Sequence, residues 1–134
     1  MSQENLDVVR SIYADWGRGD FSATEWAHPR IEFVMSDGPS PVRAIGLAAM
    51  ADAWREVLGA WEDFRAELEE CRELDEERVL VLTRNTGRGK TSGLEVGQLA
   101  TKGANVFHVR EGKTTRLVAY FDRGRALADL GLED

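Results

Sequence analysis

Apolar residues recur along this chain with two different periods. Leu6, Val9, Tyr13 and Trp16 are spaced by three, four and three residues, one face of a helix running from about Gln3 to Gly17. Gly17 and Gly19 end it. Asp20 and Ser22 are good caps, so a short helix is expected over Ala23 to Ala27, stopped by Pro29. A second stripe, Leu47, Met50, Trp54, Val57, Leu58 and Trp61, follows Gly46 and predicts a second long helix. Between the helices, Ile31 to Ser36 reads as a strand, Asp37-Gly38-Pro39-Ser40-Pro41 as a turn-rich loop, and Val42 to Ile45 as a short returning strand.

After Glu62 the period drops to two. Phe64, Ala66 and Leu68 alternate with polar residues, and Asp75-Glu76-Glu77 makes a turn. Val79 to Thr83 is apolar at odd and even positions alike, so both faces of that strand are expected to be covered. Gly87, Gly89 and Gly93 mark a loop or bulge. Glu95 to Val109 reads as a long strand interrupted near Gly103. Glu111-Gly112-Lys113 turns it into a last strand, Arg116 to Asp122, and a short helix follows from about Gly124 to Leu130. Helices first and an antiparallel meander afterwards indicate an α+β fold. A strongly bent sheet wrapped around the N-terminal helices buries both apolar sets and leaves a pocket between them.

Composition narrows the function classes. The 134 residues suit one domain over 1–134 with a true core. The net charge of −7 repels phosphate backbones, so no nucleic-acid partner is expected. No apolar run reaches the ~18 residues of a membrane span, and the N-terminus lacks the pattern of a secretory signal. Cys71 is the single cysteine, which fits a reducing cytoplasm. Gly89-Lys90-Thr91 fails as a phosphate loop because the required first glycine is Arg84. His28 and His108 are too few and too far apart for a metal site. No cofactor and no metal are expected.

Several pieces in order carry a resemblance: Tyr13-Ala-Asp-Trp16 followed by Gly19-Asp20, the strand and loop Glu32 to Gly46, Glu111-Gly112-Lys113, Ala119-Tyr120-Phe121-Asp122-Arg123, and Ala126-Leu127 through Gly131-Leu132. Together they resemble the nuclear transport factor 2-like superfamily, and within it the SnoaL-like and ketosteroid-isomerase-like proteins. The resemblance implies a cone-shaped α+β barrel with a deep pocket and a tendency to dimerise through the outer sheet face. It covers isomerases, polyketide cyclases, hydrolases, dehydratases and non-catalytic binding modules, and fold alone does not choose among them.

Four residues are candidates for catalysis. Asp37 ends the first strand nine residues before Gly46, a spacing similar to that of the isomerase base; a carboxylate facing an apolar pocket is raised in pKa and suits proton abstraction beside a carbonyl. An ordinary turn, with the carboxylate on a backbone N–H, explains it equally. Tyr13 resembles the tyrosine that donates to a developing oxyanion, and Asn105 falls at or near the position of its partner donor. Each is also explained as a locally satisfied core or strand residue. His108 alternates away from Asn105, so one of the two should face the pocket; facing inward, His108 would pair with Asp122 or Tyr120 for acid–base work. Trp16, Trp54, Met35, Phe107, Tyr120 and Phe121 are the expected ligand-binding lining, or simply core. The leading expectation is a small dimeric pocket protein moving a proton on an apolar carbonyl compound, and the rival is a non-catalytic binding or interaction module.

Overall fold

The computed structural model describes residues 2–18, 20, 25–36, 42–59, 61–89 and 98–132. Their order is α1 (Ser2–Trp16), β1 (Ala27–Met35), β2 (Val42–Ile45), α2 (Leu47–Gly59), β3 (Trp61–Glu73), β4 (Arg78–Gly89), β5 (Gln98–Arg110), β6 (Lys113–Tyr120) and α3 (Arg123–Asp129). The strands form one curved six-stranded sheet in the order β2-β1-β6-β5-β4-β3. Neighbours run antiparallel except β1 and β6, which are parallel. The sheet does not close on itself, and α1 and α2 pack against one face of it. This is the expected α+β cone. No helix of the described residues is long and apolar enough to cross a membrane.

Strands β1, β4, β5 and β6 send alternate side chains to two cores. Ile31, Phe33, Val79, Val81, Phe107, Val109, Leu117 and Ala119 join Val9, Ile12, Tyr13 and Trp16 of α1 and Met50 of α2 on the inner face. The residues between them, Leu80, Leu82, Ala104, Val106, Val118 and Tyr120, face outward and are capped by Ala126 and Leu127 of α3. Both faces of the Val79 to Thr83 segment are thus covered, as its composition requires. At the β5–β6 turn, Glu111 and Gly112 both take positive φ (51° and 76°), the twist-matched geometry of a two-residue hairpin. Gly46 also holds a positive φ of 94°, where its N–H donates to Ile31 O (2.8 Å) as the chain swings from β2 into α2.

Three boundaries differ from the pattern-based expectation. Ala27, expected to end a short helix, instead opens β1; Glu25 and Trp26 before it form a turn, and Ala23 and Thr24 lie outside the described residues. His28, Pro29 and Arg30 sit exposed where the pairing with β6 shifts register between Ala27 and Glu32, and a bulge tolerates proline's missing donor. Trp61, counted in the second helical stripe, opens β3 instead. Gly103 does not interrupt β5: it pairs with Thr83 within a continuous β4–β5 ladder. Gly87 and Gly89 lie inside β4, while Gly93 and the residues 95–97 fall outside the described set.

Candidate functional site

Tyr13 and Asn105 meet inside the cone. Helical phase turns Tyr13 from α1 toward the sheet, and strand parity turns Asn105 of β5 toward α1. The Asn105 amide Nδ2 donates to the Tyr13 hydroxyl, although 92 residues separate them in sequence. Tyr13 is 4% exposed and Asn105 9%. Burial pushes the Tyr13 hydroxyl far above the ordinary phenol value; the Asn105 hydrogen bond only partly offsets it. Tyr13 therefore keeps its proton at physiological pH.

Asn105 also borders a small cavity of about 20 Å³. Met35, Trp54, Ala119 and Phe121 supply apolar walls, and Asn85 supplies a second amide. Asn85 was not among the sequence candidates. Strand parity was the signal: continuing Val79, Val81 and Thr83 by two places puts it on the inner face. Residue 103 lies beside it, where a methyl group would come within 2.9 Å of Asn85 Nδ2 and 3.1 Å of Thr83 Oγ1. The same methyl would come within 2.7 Å of the Tyr120 carbonyl oxygen, so Gly103 leaves room for that backbone first and for the amide second.

The remaining expected lining residues divide differently. Trp16 and Phe107 do not border this cavity and lie buried in the inner core, where Trp16 makes ring contacts with Tyr13, Trp26, Trp54 and Phe107 at centroid distances of 5.0 to 6.2 Å. Tyr120 borders the cavity, but its ring belongs to the outer core and its hydroxyl donates to Asp129 of α3 (3.1 Å). His108 faces outward, paired in register between Arg78 of β4 and Arg116 of β6. Burial and those two guanidinium groups lower its pKa. Neither expected acid–base pair forms: Tyr120 is bonded to Asp129, and Asp122 caps α3 by accepting from Gly124 N (2.9 Å). Asp37 lies outside the described residues. Among the described residues, no group of three or more His, Cys, Asp or Glu stands together as a metal ligand set.

A curved sheet around two helices, with buried hydrogen-bonding groups at its inner face, defines the class: small α+β cones built around an interior site. Residues 9–117 match the SnoaL-like domain family, and the chain belongs to it. No curated protein matches. The structure is similar to that of a nuclear transport factor 2-like protein of unknown function from Burkholderia pseudomallei K96243 (19% identity, TM-score 0.76, covering 93% of this chain and 95% of that one). It is also similar to a suggested polyketide cyclase from Xanthomonas campestris pv. campestris (23% identity, TM-score 0.70, 94% and 96% covered). A third similar structure is TerC co-crystallised with polyporic acid (21% identity, TM-score 0.73, 95% and 97% covered). At these identities the likeness is one of fold.

Proposed function

We propose that residues 1–134 form one small-molecule pocket protein that moves a proton, without a cofactor, on an apolar carbonyl compound in the manner of an isomerase or polyketide cyclase. The observation that carries this reading is the buried Tyr13–Asn105 hydrogen bond beside an apolar-walled cavity. One Nδ2 proton of Asn105 is engaged by Tyr13, and the other is available to a ligand oxygen. Tyr13 holds the amide in place, so the donor costs little reorganisation when charge develops. Asp37, two residues along from the cavity residue Met35, is the proposed base. It takes a proton from the carbon beside the carbonyl, the electron pair moves onto oxygen as an enolate held by Asn105, and the proton returns at another carbon. The family and the polyketide-cyclase-like relative support the reaction class.

The test is conversion of 3-cyclohexenone to its conjugated isomer, followed by ultraviolet absorbance. Asp37→Asn should lower kcat by about 100-fold or more, and Asn105→Ala by about 100-fold. Equal rates in wild type and Asp37→Asn remove the proposed base.

A non-catalytic binding module is the second reading. Tight packing favours it: Trp16, Trp26, Trp54 and Phe107 fill the interior, and the cavity bordered by Asn105 measures about 20 Å³. A ligand retained through purification in native mass spectrometry, with no turnover of the enone, would decide for it. In either case we propose a cytoplasmic homodimer formed through the outer sheet face.

A further inference from the structure

One register row on the outer face of the sheet sets three basic residues side by side. Arg78 of β4 pairs with His108 of β5, and His108 pairs with Arg116 of β6. Adjacent strands lie about 4.8 Å apart, which sets the two arginine Cα atoms ~10 Å from each other with the imidazole between them. Like charges directly opposite on neighbouring strands repel, so the row gains nothing for the sheet by itself. Each arginine meets its own acid through Nε: Arg78 donates to Asp75 (2.7 Å), and Arg116 stands 3.6 Å from Glu32 of β1. A guanidinium is a fork of several N–H donors, so its terminal nitrogens remain for another acceptor. The charged groups facing the imidazole are Arg116 and Arg78, from β6 and β4, and Asp75 and Glu77, from the turn before β4. The arginines outweigh the acids there, so the local potential is positive in a chain of net charge −7. The whole-molecule charge disfavours a long polyanion. A small anion samples only the charges within a screening length of ~8–10 Å.

We propose that Arg78, His108 and Arg116 form a binding site for a small tetrahedral oxyanion, a phosphate group or its analogue sulfate, on the sheet face opposite the interior cavity. Two guanidinium forks and an imidazolium offer donors from three strands, more than the two oxygens of a carboxylate can use. His108 gives the site its pH dependence. A bound anion favours the imidazolium, so it raises the pH at which His108 takes its proton; by linkage the anion binds more tightly as pH falls through that value.

The chain has two histidines, and His28, exposed on β1, serves as an internal control. Proton NMR follows both imidazoles through pH titrations in sodium chloride, sodium sulfate, methyl phosphate and sodium acetate at matched ionic strength. Sulfate, whose charge is constant across the titration, should raise the His108 midpoint over chloride by about one pH unit, a tenfold preference for the protonated form. His28 should not move. Methyl phosphate should act as sulfate does. Arg78→Gln and Arg116→Gln should each raise the His108 midpoint in chloride, because a nearby cation is gone, and each should shrink the rise that sulfate causes. Arg84→Gln, on an exposed arginine further along β4, should change neither. Equal His108 midpoints in chloride and sulfate would remove the site. Equal movement of His28 would overturn it as a general salt effect. A matching rise in acetate, or none in methyl phosphate, would overturn the ligand class. A sulfate rise that survives both arginine substitutions would overturn the row as its cause.

Discussion

His108 carries a pH dependence that its position dictates. It is partly buried on the outer face, with Arg78 of β4 and Arg116 of β6 beside it and Asp75 and Glu77 near the turn. Burial lowers its pKa most, the two arginines lower it further, and the two acids oppose them. An unfolded chain protonates this histidine near pH ~6.5; the folded chain does so only at lower pH. Below ~6.5 the unfolded state therefore binds more protons, and stability falls as pH falls. Urea melts of wild type should lose stability between about pH 7 and pH 5, and His108→Gln should flatten the difference in that window. Asp75 belongs to a separate window. The Arg78 side chain and backbone N–H groups hold its carboxyl down at about 2, so its contribution is lost only as pH drops below the usual aspartate value. A wild-type curve that parallels His108→Gln from pH 7 to 5 would show that the imidazole is not the group responsible.

At the scale of elements, α3 does more than end the chain. Asp122 caps it, Tyr120 bonds to its Asp129, and Ala126 and Leu127 close the outer core. Arg123, its first residue, reaches across the sheet: its guanidinium donates to Thr83 O (2.9 Å) and Gly103 O (3.4 Å) and pairs with Glu69 of β3. One side chain thus ties the helix to three strands, at the very pair that flanks the Asn85 amide. Arg123→Ala leaves those two carbonyls short of a donor and should cost about 2 kcal/mol, with faster amide exchange in α3. Arg123→Lys should not restore it, because an ammonium lacks the fork that spans several acceptors. Unchanged melting in Arg123→Ala would show that packing of Ala126 and Leu127 alone holds the helix. Both long helices, the 111–112 hairpin and the short last helix were legible in the sequence, because period and turn chemistry are local. The start of β1 at Ala27 was not: His28-Pro29-Arg30 reads as a stop, and only the register shift against β6 accommodates it. Trp61 fell by coincidence of spacing on a helical stripe. For the site, the resemblance names Tyr13 and Asn105 as two donors to one substrate oxygen, and the hydrogen bond between them is a feature it does not contain. Strand parity reaches Asn85, but Gly87 and Gly89 just beyond it read as a loop rather than as part of β4, so the pattern ends the strand short of it.

Viewed as a whole molecule, the two sheet faces are unlike. The inner face holds the aromatic cluster and the amides; the outer face is split between an apolar area already covered by α3 and an edge toward β2 that none of the described helices covers. On that edge Glu32 pairs with Arg43 (2.6 Å) and Arg116 (3.6 Å), and Ile45 stands 63% exposed. A dimer formed on this face would have to use this rim, because the apolar centre is occupied by the chain's own helix. Its character follows: a two-fold contact sets each subunit's Ile45 and its arginine–glutamate set against the same residues of the other copy. Such a contact is small in apolar area and rich in exposed charge, so it should weaken as salt screens it. Sedimentation equilibrium should find a dimer at low ionic strength that dissociates more readily at about 1 M salt, where the screening length is ~3 Å. Ile45→Lys should abolish it while leaving the melting temperature close to wild type, since the side chain is exposed in the monomer. A dimer indifferent both to salt and to Ile45→Lys would mean that α3 swings off the sheet to free the apolar centre. In that case Arg123→Ala, which loosens α3, should strengthen association rather than leave it unchanged.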